Sequence, residues 1–182
     1  KGPSTNDDKK KARLVNKGFK QQYSIDFEDT YAPTVRIGSI RSILSYAGAH
    51  NWLVHQCDIN TAFLYADLEE EIYMDLPEGV DLVQGTLCHP SPTLMRQAQQ
   101  EGTIPVARLK KALYGLKQAP RAWHKELTRI LQGFNFTQSY IDPCVYHQYL
   151  QADIDCILLV YVDGILIVTP RLKVAEQFKR QL

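Results

Sequence analysis

The chain has no C-x-x-C pair, no apolar run approaching about 18 residues and no internal repeat. Its four cysteines, at 57, 88, 144 and 156, are scattered, and the five histidines do not join them at zinc-ligand spacing. A structural zinc site and a disulfide framework are therefore excluded as organising devices, and the thiols read as reduced and mostly buried, in an intracellular protein. No membrane span and no secretory signal pattern is expected. The net charge is only +1, so no global field draws the chain to nucleic acid or to a lipid surface. What is present is 182 residues with 45% hydrophobic content, enough for one domain with a real core.

Charge is uneven even though it sums to almost nothing. Fourteen of the 21 basic residues lie in 1–20 and 108–129, while residues 67–81 hold seven acids and no base. Such a distribution suits a protein that grips a polyanion with one surface, or simply three solvated faces.

The chain is organised around Cys156–Thr169, an apolar stretch rich in Ile, Val and Leu with one acid, Asp163, followed by Gly164. Asp-Gly between two strand-like runs predicts a hairpin with those two residues as its turn, both tolerating φ > 0. Asp163 then stands at the tip, as a turn former or as a functional carboxylate. Trp52–Ile59 alternates like a strand that ends at Asp58, and Asn60–Asp67 reads as one or two helical turns. Asp58 either caps that turn or presents an ionised carboxylate at the sheet edge. If the two strands are neighbours, Asp58 and Asp163 converge at one sheet end. Hard oxygen ligands on a rigid edge suit Mg2+, which retains water and takes up substrate phosphates.

Around these, residues 1–10 predict a flexible start and 11–19 a strand ending at Gly18 with Lys11 and Arg13 on one basic face. Residues 21–35 read as an irregular connection, and 38–50 as an amphipathic helix capped by Ser39. Residues 69–77 predict a strand, 78–105 a long loop and 106–113 a strand entering a turn at Tyr114-Gly115. A helix over Pro120–Gly133 carries Trp123, Leu127, Ile130 and Leu131 as its stripe and ends at Gly133. A strand over 144–150 turns into the hairpin, and a last helix starts at Arg171. The order is that of an α+β domain: an antiparallel sheet with helices on one face.

Several blocks make the chain recognisable: 11–19 (KARLVNKGF), 32–36 (APTVR), 56–64 (QCDINTAFL), 70–74 (EEIYM), 108–123 (RLKKALYGLKQAPRAW) and 161–164 (YVDG). In order and nearly end to end they resemble the reverse transcriptase domain of copia-type LTR retrotransposons, a part of a Pol polyprotein. The resemblance implies a right-hand polymerase: a ferredoxin-like palm plus partial fingers over 11–182, with the thumb absent and the chain truncated at its C-terminus. It implies RNA-directed DNA polymerase activity, in which a primer 3′-hydroxyl attacks a deoxynucleoside triphosphate on an RNA or DNA template. Asp58 and Asp163 are the implied catalytic, metal-binding aspartates for two Mg2+ or Mn2+ ions. Phe63 resembles the steric gate against ribonucleotides. Lys11, Arg13, Tyr114, Gly115 and Lys117 resemble nucleotide-binding residues, with Lys117 as the phosphate contact. Protease, integrase and ribonuclease H domains are implied partners outside this chain, in a cytoplasmic particle or the nucleus.

One departure bears on activity: the family hairpin carries two adjacent aspartates, and here the second is Gly164. The resemblance therefore implies an impaired polymerase. The alternatives are a catalytically dead relic or co-opted nucleic-acid-binding domain and, unrelated to polymerases, a ferredoxin-like RNA-binding module. Lys17-Gly18-Phe19 begins the motif of that module, and Lys20-Gln21 breaks it.

Overall fold

The computed structural model describes residues 12–77, 102 and 106–181. The expected flexible start, Lys11 and almost all of the 78–105 loop lie outside the described residues. Three helices are described: α1 (Ile37–Ala49), α2 (Ala119–Gly133) and α3 (Leu172–Gln181). Strands β1 (Leu53–Asp58), β4 (Thr137–Gln138), β5 (Val145–Leu150), β6 (Asp153–Tyr161) and β7 (Gly164–Thr169) form one antiparallel sheet in the order β1-β7-β6-β5-β4. Two short strands, β2 (Tyr73–Asp75) and β3 (Val106–Arg108), pair separately. No described helix is long and apolar enough to cross a membrane.

The α+β class agrees with the expectation. Paired residues of an antiparallel ladder share a face and neighbours along a strand alternate. All six residues from Asp155 to Val160 are buried, so both faces of β6 are covered. The uninterrupted apolar run of β6 already reads as two-sided burial, because a half-solvated strand would alternate. Tyr146, Leu158 and Ile167 share one face, on which the Thr128 hydroxyl of α2 lies 2.7 Å from the Tyr146 hydroxyl. On the other, Leu159 and Val168 are equally dry.

The helix α2 forms where the apolar spacing places it, and Trp123, Leu127 and Leu131 are buried while Ile130 is half-buried. Gly133 is its last residue rather than its stop. Asn135 takes the left-handed conformation beyond it, with φ +62°. In α1, Ser39 is no cap. The N-cap is Arg36, and Asp142, far along the chain, accepts from the Arg36 amide at 3.0 Å, the Ser39 hydroxyl at 2.6 Å and the Cys144 amide at 3.0 Å. Burial pushes the Asp142 carboxyl up, and these three donors with the Arg36 charge outweigh it, holding it below the usual range.

Residues 12–17 form no strand, and Gly18–Lys20 is a single 3-10 turn. The segment instead lies on the 113–118 loop. The Asn16 amide donates to the Tyr114 carbonyl at 2.7 Å, and a Cβ on Gly18 would stand 1.9 Å from the Gly115 carbonyl oxygen. A Cβ on Gly115 would stand 2.1 Å from the Asn16 carbonyl, and its φ is +94°. Two glycines thus let two backbones touch, a contact that strand geometry does not allow.

Candidate active site

β1 pairs with β7 along its whole length, and the register sets Asp58 opposite Gly164. The next amide, Ile59, donates to the Asp163 carbonyl at 2.9 Å. Residues 59 and 163 thus exchange a ladder hydrogen bond, which makes 58 and 164 a non-hydrogen-bonded pair, the kind with side chains closest together. Asp58 and Asp163 therefore lie at the same end of the sheet. Asp58 is exposed and Asp163 half-buried. Asp58 caps nothing: the 3-10 turn at Ala62–Tyr65 begins from Thr61 without a side-chain cap. Among the described residues neither aspartate enters an ion pair.

The hairpin turn sits one residue earlier than its sequence suggests. Tyr161 pairs with Gly164, so the two loop residues are Val162 and Asp163. Val162 carries the positive φ, +58°, whereas Gly164 has an ordinary strand backbone. A β-branched residue there is strained, at a cost of about 1–3 kcal/mol. The indole of the buried Trp123 donates from Nε1 to the Val162 carbonyl at 2.7 Å. Gly164 leaves room for a side chain, since a Cβ there meets only the Tyr161 carbonyl oxygen at 3.5 Å.

The donor chemistry fits a hard divalent cation, because two unpaired carboxylates on a rigid edge leave the remaining positions to water and substrate oxygen. The set is sparse. Among the described residues no group of three or more His, Cys, Asp or Glu gathers to hold a metal ion.

The other candidates divide. Phe63 and Tyr114 come together, both half-buried, with ring centroids 4.7 Å apart and planes tilted by 60°. Gly115 serves the backbone contact described above. Lys117 is tied to the protein: its Nζ donates to the Gln21 carbonyl at 3.2 Å and lies 4.6 Å from the Phe27 ring centroid. Arg13 is exposed, and Lys11 lies outside the described residues.

Sequence reasoning missed Gln21 and Gln118. The Gln21 side chain accepts from the Lys117 amide at 2.8 Å and donates to Gln118 Oε1 at 3.0 Å, while buried Gln118 donates to the Asp26 carbonyl at 2.8 Å. No local pattern marks such a bond between residues so far apart. The basic 108–129 segment is also not an open polyanion surface. Arg108 pairs with Glu71, Lys111 with Asp67 and Lys125 with Glu69, so the acidic segment neutralises much of it. A cleft of about 610 Å³ between residues 24–29 and α2 is lined by Asp67, Glu69, Glu71, Arg121 and Lys125 and not by Asp58 or Asp163.

Comparison with known proteins identifies the lineage. A family model described as reverse transcriptase (RNA-dependent DNA polymerase) matches residues 1–182. The chain is 42% identical over 158 residues to a retrovirus-related Pol polyprotein from transposon TNT 1-94 of Nicotiana tabacum, covering 87% of this chain and 11% of that protein. It is 39% identical to the Pol polyprotein from transposon RE2 of Arabidopsis thaliana, over 86% of this chain and 10% of that one. Against a Ty1-H Gag-Pol polyprotein of Saccharomyces cerevisiae, identity is 33% over 66% of this chain and 6% of that protein. The chain thus spans about a tenth of the length of the first two of these relatives. No solved structure matches it. A match along the full chain means that this chain belongs to the reverse transcriptase (RNA-dependent DNA polymerase) family, beside the Pol polyproteins of copia-type retrotransposons.

Proposed function

We propose that the chain is the palm, with part of the fingers, of a template-copying DNA polymerase whose catalytic output is weakened by Gly164. The observation that carries the reading is the β1–β7 register, which sets Asp58 across from Gly164 and beside Asp163. Asp58 and Asp163 are the residues that would hold divalent ions, which would supply charge stabilisation for phosphoryl transfer. Phe63, whose ring packs against Tyr114, is the residue that selects against a ribose 2′-hydroxyl in this reading. Arg13 and Lys11 supply positive charge to a triphosphate, and Lys117 joins them once it leaves Gln21. The substrates are deoxynucleoside triphosphates and an RNA or DNA template-primer. The remaining Pol activities belong to other domains of a polyprotein.

A carboxylate missing from a two-metal site removes charge stabilisation from the transition state, an effect of about 10²–10³ in rate. Primer extension with Mg2+ and with Mn2+ tests the reading. The native chain extends weakly or not at all, Gly164→Asp gains by about that factor, and Asp58→Asn in the Gly164→Asp background abolishes synthesis. Robust synthesis by the native chain, unchanged by Gly164→Asp and by Asp58→Asn, overturns it.

A further inference from the structure

We infer that Trp123 is a positioning residue for the catalytic hairpin, acting through its indole N–H; this rests on the reading of Asp163 as a metal-holding carboxylate. Trp123 is buried to 2% exposure in the middle of α2's apolar stripe, which by itself describes an ordinary core aromatic. Its N–H sets it apart. A buried indole N–H requires an acceptor, and here the acceptor is the Val162 carbonyl at 2.7 Å.

That carbonyl belongs to the peptide joining Val162 to Asp163. Val162 is the residue held at φ +58°, where a valine does not rest without restraint. Two bonds grip this turn from opposite sides. Trp123 holds the carbonyl before Asp163, and the Ile59 amide holds the Asp163 carbonyl at 2.9 Å. Between them the Asp163 backbone, which lies beside the end of β1, has little freedom. The strain is thus stored next to the functional acid and over-determined by a helix that follows the LKQAP segment. Groups that orient metal ligands from behind matter nearly as much as the ligands, and their loss weakens metal binding by about 10–100-fold.

The test uses the full 182-residue chain, Mn2+ alone as probe and amide hydrogen exchange as a second readout. Trp123→Phe keeps an aromatic ring and removes the N–H. It is expected to weaken Mn2+ binding by about 10-fold or more and to accelerate exchange at the Ile59 amide well beyond any acceleration at Leu159 in the middle of β6. A purely structural loss raises both amides alike. Val162→Gly in the Trp123→Phe background is expected to restore much of the Mn2+ affinity, because glycine holds a positive φ without restraint. Equal acceleration at Ile59 and Leu159, or no rescue by Val162→Gly, overturns the inference. Asp58→Asn and Asp163→Asn serve as separate controls. Should neither alter Mn2+ binding, the metal reading falls, while the exchange ratio still decides whether Trp123 holds the hairpin.

Discussion

Restoring a carboxylate at position 164 should first weaken the fold and then, with metal, strengthen it. Residue 164 lies directly across from Asp58 in a non-hydrogen-bonded pair, where Cβ atoms stand about 4.5–5.5 Å apart. The backbone accepts the change, since the nearest foreign atom to a Cβ there is 3.5 Å away and φ is not left-handed. Two negative charges at about 5 Å repel by about 0.8 kcal/mol in water and about 3 kcal/mol at an effective dielectric near 20. Asp58 is exposed, so the lower end applies, and a loss of about 1 kcal/mol lowers Tm by about 2–4 °C in a domain of this size. A divalent ion held by these carboxylates would reverse the sign, since its positive charge would offset their repulsion. At 100 times its dissociation constant a ligand adds about 2.7 kcal/mol to the folded state. Thermal melts of the native chain and of Gly164→Asp, in chelator and across a Mg2+ titration, therefore cross. The variant melts lower without metal and higher with it. Asp58→Asn in the same background removes both effects. Identical melting of the two proteins at every Mg2+ concentration would refute the reasoning, because charges that do not sense each other or a common ion do not share a site.

Asp142→Asn leaves three donors facing a neutral amide and should cost about 2–4 kcal/mol, read by urea unfolding, with Ser39→Ala costing about 1 kcal/mol. Because the folded Asp142 carboxyl lies below its unfolded value of about 3.8, its contribution is complete above that pH and vanishes as pH falls through the folded value; acid melts of native and Asp142→Asn proteins should converge there. Gly18→Ala or Gly115→Ala forces apart two backbones about 2 Å from the new Cβ and should detach residues 12–21 from the 113–118 loop, seen as faster limited proteolysis of that segment with β6 exchange unaltered. Burial pushes the Cys144 and Cys156 thiols up to about 12, with Asp142 and Asp155 adding to it, so at pH 8 a thiol reagent should spare both until the protein unfolds.

The placing of Asp58 and Asp163 at one sheet end was legible from two local signals: a strand that ends on an acid and an apolar ribbon broken by one acid. The turn was misplaced by one residue for a reason local preference does not contain. Asp-Gly is the better turn pair by chemistry, yet shifting the register would carry Ile165 and Ile167 from one face of the sheet to the other. Both are fully buried, so the core overrules the turn, and Val162 bears the strain that Gly164 could have avoided. Likewise 12–17 alternates like a strand, but its backbone has a better partner in the Tyr114–Gly115 loop, and only folding supplies that partner. Lys117 reads as a phosphate contact from its motif and is occupied by Gln21, a residue with no motif at all.

By itself the sequence determined the family, the α+β class, the helix α2 and the placing of two acids at one sheet end, because periodicity and short motifs are properties of neighbouring residues. Tertiary structure decided which residue carries the turn, which cations are neutralised by Asp67, Glu69 and Glu71, and which buried donor reaches the hairpin. Those are choices among partners distant along the chain, and they are settled by burial and by the need to satisfy every buried polar group.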